Sequence, residues 1–183
     1  MSGTTLPSPS SQTPLNPPPV RVAVVGAGYW GINHVRTFAR LPGCELVLVC
    51  DADPKNLKRA KSLAPAARQT TDYATVLADP SIDAVVLATP AVLHAEQSIA
   101  ALSAGKHVFV EKPLALSVAD AQAVKTAADQ AGRVLMVGHL MLYHAAVLRL
   151  REMIQSGDIG EVYYLYGLRV NLGKLRQDEN AMW

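Results

Sequence analysis

The chain has 183 residues, half of them hydrophobic, which suffices for one domain with its own core but not for a second full one. Lys and Arg number 17 against 15 Asp and Glu and are scattered, so the net charge of +2 offers nucleic acid no basic footprint, and a small molecule is the expected partner. No run approaches the roughly 18 to 20 apolar residues of a bilayer span, and Cys44 and Cys50 fit neither a disulfide framework nor a paired metal or redox motif, so a soluble cytoplasmic protein with reduced thiols is expected.

Residues 1–19 are rich in Pro, Ser and Thr, lack the positive start and apolar core of a signal peptide, and are expected to form a disordered leader. From residue 20 onward, apolar runs of strand length alternate with stretches of helical periodicity. Strands are predicted at 20–25, 45–50, 84–88, 107–110 and 134–137, with a weaker one at 67–70, and helices at 29–41, 54–63, 93–104 and 118–131. The strands are rich in Val, Leu and Ala without strict alternation, as when helices cover both faces. This pattern predicts an α/β fold over residues 20–140, a Rossmann-type doubly wound parallel sheet. The helix ends agree: Pro54 suits a first turn, Ser117 with Asp120 resembles an N-cap pair, and Gly105 and Gly132 fall where helices close.

Beyond residue 140 the pattern changes. A helix at 145–155 ends on Ser156-Gly157, and the Val-Tyr-Tyr-Leu-Tyr composition of 161–172 favours a strand. A lone strand can neither bury an apolar face nor satisfy its edges. Residues 141–183 are therefore expected to begin an incomplete α+β domain, a second sheet started and left unfinished.

The first strand runs directly into Gly26-Ala27-Gly28-Tyr29-Trp30-Gly31, a G-x-G-x-x-G that opens a helix. Gly26 permits a tight turn, Gly28 lets backbone approach a pyrophosphate, and Gly31 allows close packing of helix on strand; the helix start then offers amides and a positive dipole end to phosphate. About twenty residues on, the second strand ends at Asp51, where a carboxylate meets the adenine-ribose diol of a dinucleotide and repels a 2′-phosphate, favouring NAD over NADP. Lys55 and Arg59 nearby work against that preference. Asp53 fits better than Asp51 as the cap of the Pro54 helix.

Ala88-Thr89-Pro90 closes the next strand and is followed by His94 at a helix start, so Thr89, Pro90 and His94 are candidates for the cofactor crevice, with a capping or surface role as the alternative for His94. Glu111-Lys112-Pro113 follows the strand at 107–110. An ammonium beside a positively charged nicotinamide and partly desolvated gives up its proton more readily, which suits Lys112 to accept a proton from a substrate hydroxyl; a surface Glu-Lys pair is the bland alternative. His34 and His107 are assigned to packing or surface.

Together these residues resemble the Gfo/Idh/MocA oxidoreductase family. The resemblance rests on Gly26 to Gly31, Ala88-Thr89-Pro90 with His94, Glu111-Lys112-Pro113, and Ser156-Gly157-Asp158-Ile159-Gly160-Glu161-Val162, which looks like the family's entry into its second domain. It implies NAD as cofactor, with Gly26, Gly28, Tyr29, Trp30, Gly31, Asp51, Thr89, Pro90, His94, Glu111 and Lys112 around it. It further implies a catalytic Lys112 near nicotinamide and substrate, and an antiparallel second-domain sheet supporting substrate and a homo-oligomer. Within the family, Val137-Gly138-His139, Tyr143-His144, Leu172-Gly173-Lys174-Leu175-Arg176 and Glu179-Asn180-Ala181-Met182-Trp183 look most like members that oxidise sugar nucleotides of the UDP-N-acetylglucosamine type; Ala145 departs from a proline common there. The family's active-site histidine would lie beyond residue 183, leaving His139 or His144 as substitutes.

The resulting expectation is an NAD-dependent dehydrogenase acting on a sugar or sugar-nucleotide hydroxyl, incomplete and inactive by itself. A non-catalytic dinucleotide-binding or interaction protein is the rival, because fold alone does not fix function.

Overall fold

Buried aliphatic runs in the strands and one-sided helices give this chain its architecture, seen in a computed structural model that describes residues 17–168. Six strands form one parallel sheet in the order β3-β2-β1-β4-β5-β6. This is the expected Rossmann-like α/β fold. The chain divides into two compact units, one ending at Val85 and the other beginning at Val86.

In the first unit, β1 (Val20–Val25) leads to α1 (Gly31–Phe38), β2 (Cys44–Cys50), α2 (Pro54–Leu63), β3 (Arg68–Thr70) and α3 (Tyr73–Ala78), then to the start of β4 (Ala84–Leu87). β1 and β2 pair in parallel from Val20 opposite Cys44 to Val25 opposite Cys50, and β2 pairs with β3 from Leu48 opposite Arg68. Val22 to Val25, Leu48, Val49 and Cys50 are all buried. Each large aliphatic side chain so removed from water contributes about 1.5–3 kcal/mol, which is what outweighs the cost of ordering these strands. Arg21 and Asp83 tie the start of β1 to the approach to β4, through a two-pronged ion pair and backbone bonds in both directions.

The second unit continues through β4, a 3-10 turn (Ala91–Leu93), α4 (His94–Ser103), β5 (His107–Val110), α5 (Val118–Ala131), β6 (Leu135–Val137), a second 3-10 turn (Leu140–Tyr143) and α6 (Ala145–Ser156). β5 and β6 pair in parallel from Val108 to Val110. Ser117 caps α5 through its hydroxyl and Gly132 closes it in the left-handed conformation, as their residue types suggested. His107 Nδ1 accepts the Val134 amide, consistent with a packing role.

Two expectations need correction. Tyr73–Ala78 is a helix that periodicity did not reveal, because it is short and buries only Val76; its signal was Asp72, whose carboxylate caps it. The strand expected at 161–172 is not formed over residues 161–168, which lie in no ladder and expose Tyr163, Tyr164 and Tyr166. Tyr-rich composition favours extended backbone, but a strand exists only with a partner, and the described sheet ends at β6. Residues 169–172 of that segment, the Leu172 to Trp183 motifs, and all but residues 17–19 of the expected leader lie outside the described residues.

Candidate functional site

In the first unit the site begins where β1 ends. Gly26 takes φ +87°, the left-handed region, and its amide donates to Cys50 O at 2.8 Å. The chain then passes Ala27 and Gly28 and enters α1 at Gly31, with Tyr29 and Trp30 largely exposed on the loop. α1 has neither a side-chain cap nor an acidic residue in its first turn, whereas Asp53 caps α2 and Asp72 caps α3. No side chain of its own first turn neutralises the positive dipole end of α1.

The glycine loop is held from both sides. Asp51, just past β2, accepts the Ala27 amide on Oδ2 at 2.6 Å and the Asp53 amide on Oδ1 at 2.8 Å, while Asn56 Nδ2 donates to both oxygens at 3.2 and 3.3 Å. Arg59 reaches back from α2 to donate to Gly28 O at 2.8 Å and Ala27 O at 3.3 Å. Ala27 is thus held at both its N–H and its C=O, which fixes the turn. A Cβ built on Gly28 meets nothing within 4 Å. No packing among the described residues calls for glycine there, whereas a pyrophosphate lying against the backbone would. The donor set and the open space fit a dinucleotide.

In the second unit, Thr89 and Pro90 follow β4, and Glu111-Lys112-Pro113 follows β5 with a cis Lys112–Pro113 peptide. Thr89 Oγ1 donates to Gln97 Oε1 at 2.6 Å. The Glu111 amide donates to Leu87 O at 2.9 Å, and the Lys112 amide to Glu111 Oε2 at 3.3 Å. Gly138, after β6, brings backbone against this carboxylate: a Cβ there would lie 3.2 Å from Glu111 Oε2. His94 is 1% exposed, with Nδ1 2.6 Å from Pro113 O and Nε2 2.9 Å from Thr89 O. Both ring nitrogens are therefore turned inward to backbone. His144 caps α6, its Nδ1 accepting the Ala146 amide at 3.3 Å. Among the described residues there is no cluster of His, Cys, Asp or Glu able to hold a metal ion, and no helix is long and apolar enough to cross a membrane.

The model of the Gfo/Idh/MocA family, an oxidoreductase family with an NAD-binding Rossmann fold, matches residues 20–139. The chain belongs to this family. It is 38% identical over 145 residues to inositol 2-dehydrogenase 3 of Saccharopolyspora erythraea, covering 77% of this chain and 42% of that protein. It is 36% identical over 140 residues to the 4-carboxy-2-hydroxymuconate-6-semialdehyde dehydrogenase of a Sphingobium species, covering 76% of this chain and 44% of that one. Among solved structures, the WlbA dehydrogenase of Bordetella pertussis in complex with NADH and UDP-GlcNAcA superimposes with TM-score 0.74 at 34% identity, over 79% of this chain and 44% of that one. Scyllo-inositol dehydrogenase of Lactobacillus casei with NAD(H) and scyllo-inositol reaches the same TM-score at 25% identity, over 78% and 43%. This Gfo/Idh/MocA chain thus spans less than half the length of the relatives it matches, and aligns as well with a polyol enzyme as with a sugar-nucleotide enzyme.

Three residues in this family member escaped the sequence reading. Arg59 enters that reading only as a charge working against the preference for NAD, Asn56 not at all, and Gly138 only as part of a motif. Asn56 and Arg59 lie one turn apart on α2, and that spacing placed both on the face toward the glycine loop. The approach of Gly138 to Glu111 had no local signal, since it depends on the pairing of β5 with β6.

Proposed function

We propose that this chain holds NAD and supplies the cofactor side of a dehydrogenase that oxidises a hydroxyl of a sugar, polyol or sugar nucleotide in the cytoplasm. The observation that carries the reading is the glycine loop after β1, gripped at Ala27 by Asp51 and Arg59 and opening onto a helix without an anion of its own. Gly26, Gly28, Tyr29, Trp30 and Gly31 are assigned to the pyrophosphate, and Asp51 to the adenine ribose. Thr89, Pro90, Glu111 and Lys112 are assigned to the nicotinamide side. When bound, the dinucleotide supplies a hydride acceptor at its nicotinamide ring. Lys112, exposed after β5 with its backbone fixed through Glu111, is the residue assigned to take the proton that leaves the substrate hydroxyl. The carboxylate of Asp51 disfavours a 2′-phosphate, so NAD is favoured over NADP. The two cysteines are free thiols, in keeping with a reducing compartment.

Fluorescence titration of the purified chain with NADH and NADPH tests the binding claim, with micromolar NADH affinity and weaker NADPH expected. Turnover is tested separately, by following NAD reduction with inositols, simple sugars and UDP-linked sugars. Binding without turnover on any of them removes the dehydrogenase reading for this chain and leaves a dinucleotide-binding protein. No NADH binding removes both.

A further inference from the structure

We propose that His94 is a positioning residue for Lys112 rather than a ligand of the dinucleotide, an inference that rests on the nicotinamide-side role given to Lys112 above. His94 opens α4, yet its ring lies inside the unit at 1% exposure. Its two nitrogens face the carbonyl of Thr89, in the loop after β4, and the carbonyl of Pro113, in the loop after β5. A neutral imidazole donates to one of these and turns a lone pair to the other, while a ring carrying both protons donates to both. The shorter contact, 2.6 Å to Pro113 O, places a donor at Nδ1, so the ring holds the loop after β5 by a hydrogen bond; it ties down the Thr89 loop as well only when both nitrogens carry protons, because a lone pair facing a carbonyl oxygen repels it.

Lys112 lies between two fixed points. On one side the Glu111 amide is bonded to Leu87 O at 2.9 Å; on the other, the Pro113 carbonyl lies 2.6 Å from His94 Nδ1. The Lys112 side chain itself makes no hydrogen bond or ion pair among the described residues, so its direction is inherited from the backbone that carries it. His94 holds one end of that backbone. Thr89 is held in turn through its hydroxyl by Gln97, which sits one turn along α4 from His94. One helix face therefore serves both loops. A ring sealed from solvent and turned to backbone at both nitrogens acts on a ligand only through what it holds.

The test uses the whole chain with His94→Gln and His94→Asn, so that one folded variant suffices, and two probes: NADH, and ADP, which lacks the nicotinamide end. Loss of one buried hydrogen bond corresponds to about tenfold in affinity. NADH is expected to bind about tenfold more weakly to the variant and ADP within about twofold of the parent. In a Lys112→Ala background, His94→Gln should cost less than about a further twofold, because the two residues act as one. Amide hydrogen exchange without ligand gives a second readout: Lys112 exchange should rise about tenfold while the Ala27 amide is unchanged. Equal losses for NADH and ADP, or a full tenfold loss that persists without the Lys112 side chain, overturn the proposal, as does unchanged exchange at Lys112. If the parent chain binds neither probe, the cofactor reading is what has failed, and the exchange experiment still decides whether His94 braces the loop.

Discussion

The carboxylate of Asp51 accepts the Ala27 amide at 2.6 Å, which joins the end of β2 to the turn after β1. The same carboxylate takes the Asp53 amide and both Asn56 contacts, and this makes it part of the scaffold as well as a candidate for the ribose. Asp51→Asn keeps the shape but exchanges a charged acceptor for a neutral one that also carries an NH₂ group. The expected outcome is a loss of about 1–3 kcal/mol in urea unfolding. NADH affinity should fall, and the gap between NADH and NADPH should narrow because repulsion of the 2′-phosphate is gone. A stability loss with an unchanged NADH to NADPH ratio would leave Asp51 as scaffold alone.

Gly28 and Gly138 form a matched pair of substitutions with opposite expectations. A Cβ on Gly28 meets nothing within 4 Å, so Gly28→Ala should leave the melting temperature within about 2 °C of the parent while abolishing measurable NADH binding. A Cβ on Gly138 lies 3.2 Å from Glu111 Oε2 and 3.3 Å from Phe109 Cζ. Gly138→Ala must displace one of them and should cost about 1–2 kcal/mol in thermal or urea unfolding. If Gly28→Ala binds NADH like the parent, the pyrophosphate does not approach the backbone there.

The contrast between these glycines shows what could be read from the chain alone. Alternating strands and helices, with Pro54 in a first turn and Ser117 as a cap, follow from local rules, and the bounds these rules give for α2 and α5 are those of the structure. Asp53 beside Pro54 could be recognised as the α2 cap because capping is a matter of neighbouring residues. The grip of Arg59 on the glycine loop and the contact of Gly138 with Glu111 depend on which elements pack together, and spacing alone does not say so. His94 illustrates the same limit within one residue. Its place at a helix start was evident, but whether the ring faces a ligand or the interior is decided by the loops after β4 and β5.

The two cysteines should react very differently. Cys50 is buried, and burial first, then the nearby Asp51 charge, pushes its thiol up to about 11. Less than about one part in a thousand is then thiolate at neutral pH, and the thiolate is the reactive form. Cys44 is partly exposed at the start of β2. With a disulfide reagent such as DTNB at pH 7.5, one thiol per chain should react quickly and the second only after urea is added. Cys44→Ser should remove the fast phase, and a fast phase that survives this substitution would mean that Cys50 is accessible.

Acid should weaken the first unit through Asp79. The Ser81 hydroxyl, then the Arg68 guanidinium at 2.5 Å and the Ser81 amide at 2.8 Å, hold this carboxyl well below its ordinary value of 3.8. The folded state therefore keeps the charged form to lower pH than the unfolded chain does, and below 3.8 the unfolded chain binds the extra proton. It follows that the contribution of Asp79 is complete above this value and is lost progressively as pH falls beneath it. Asp79→Asn removes the titrating group, so the variant should be less stable at pH 7, yet its urea midpoint should decline less steeply than the parent's between about pH 4 and pH 2. Parallel midpoint curves for parent and variant over that range would show that Asp79 is not held in its charged form.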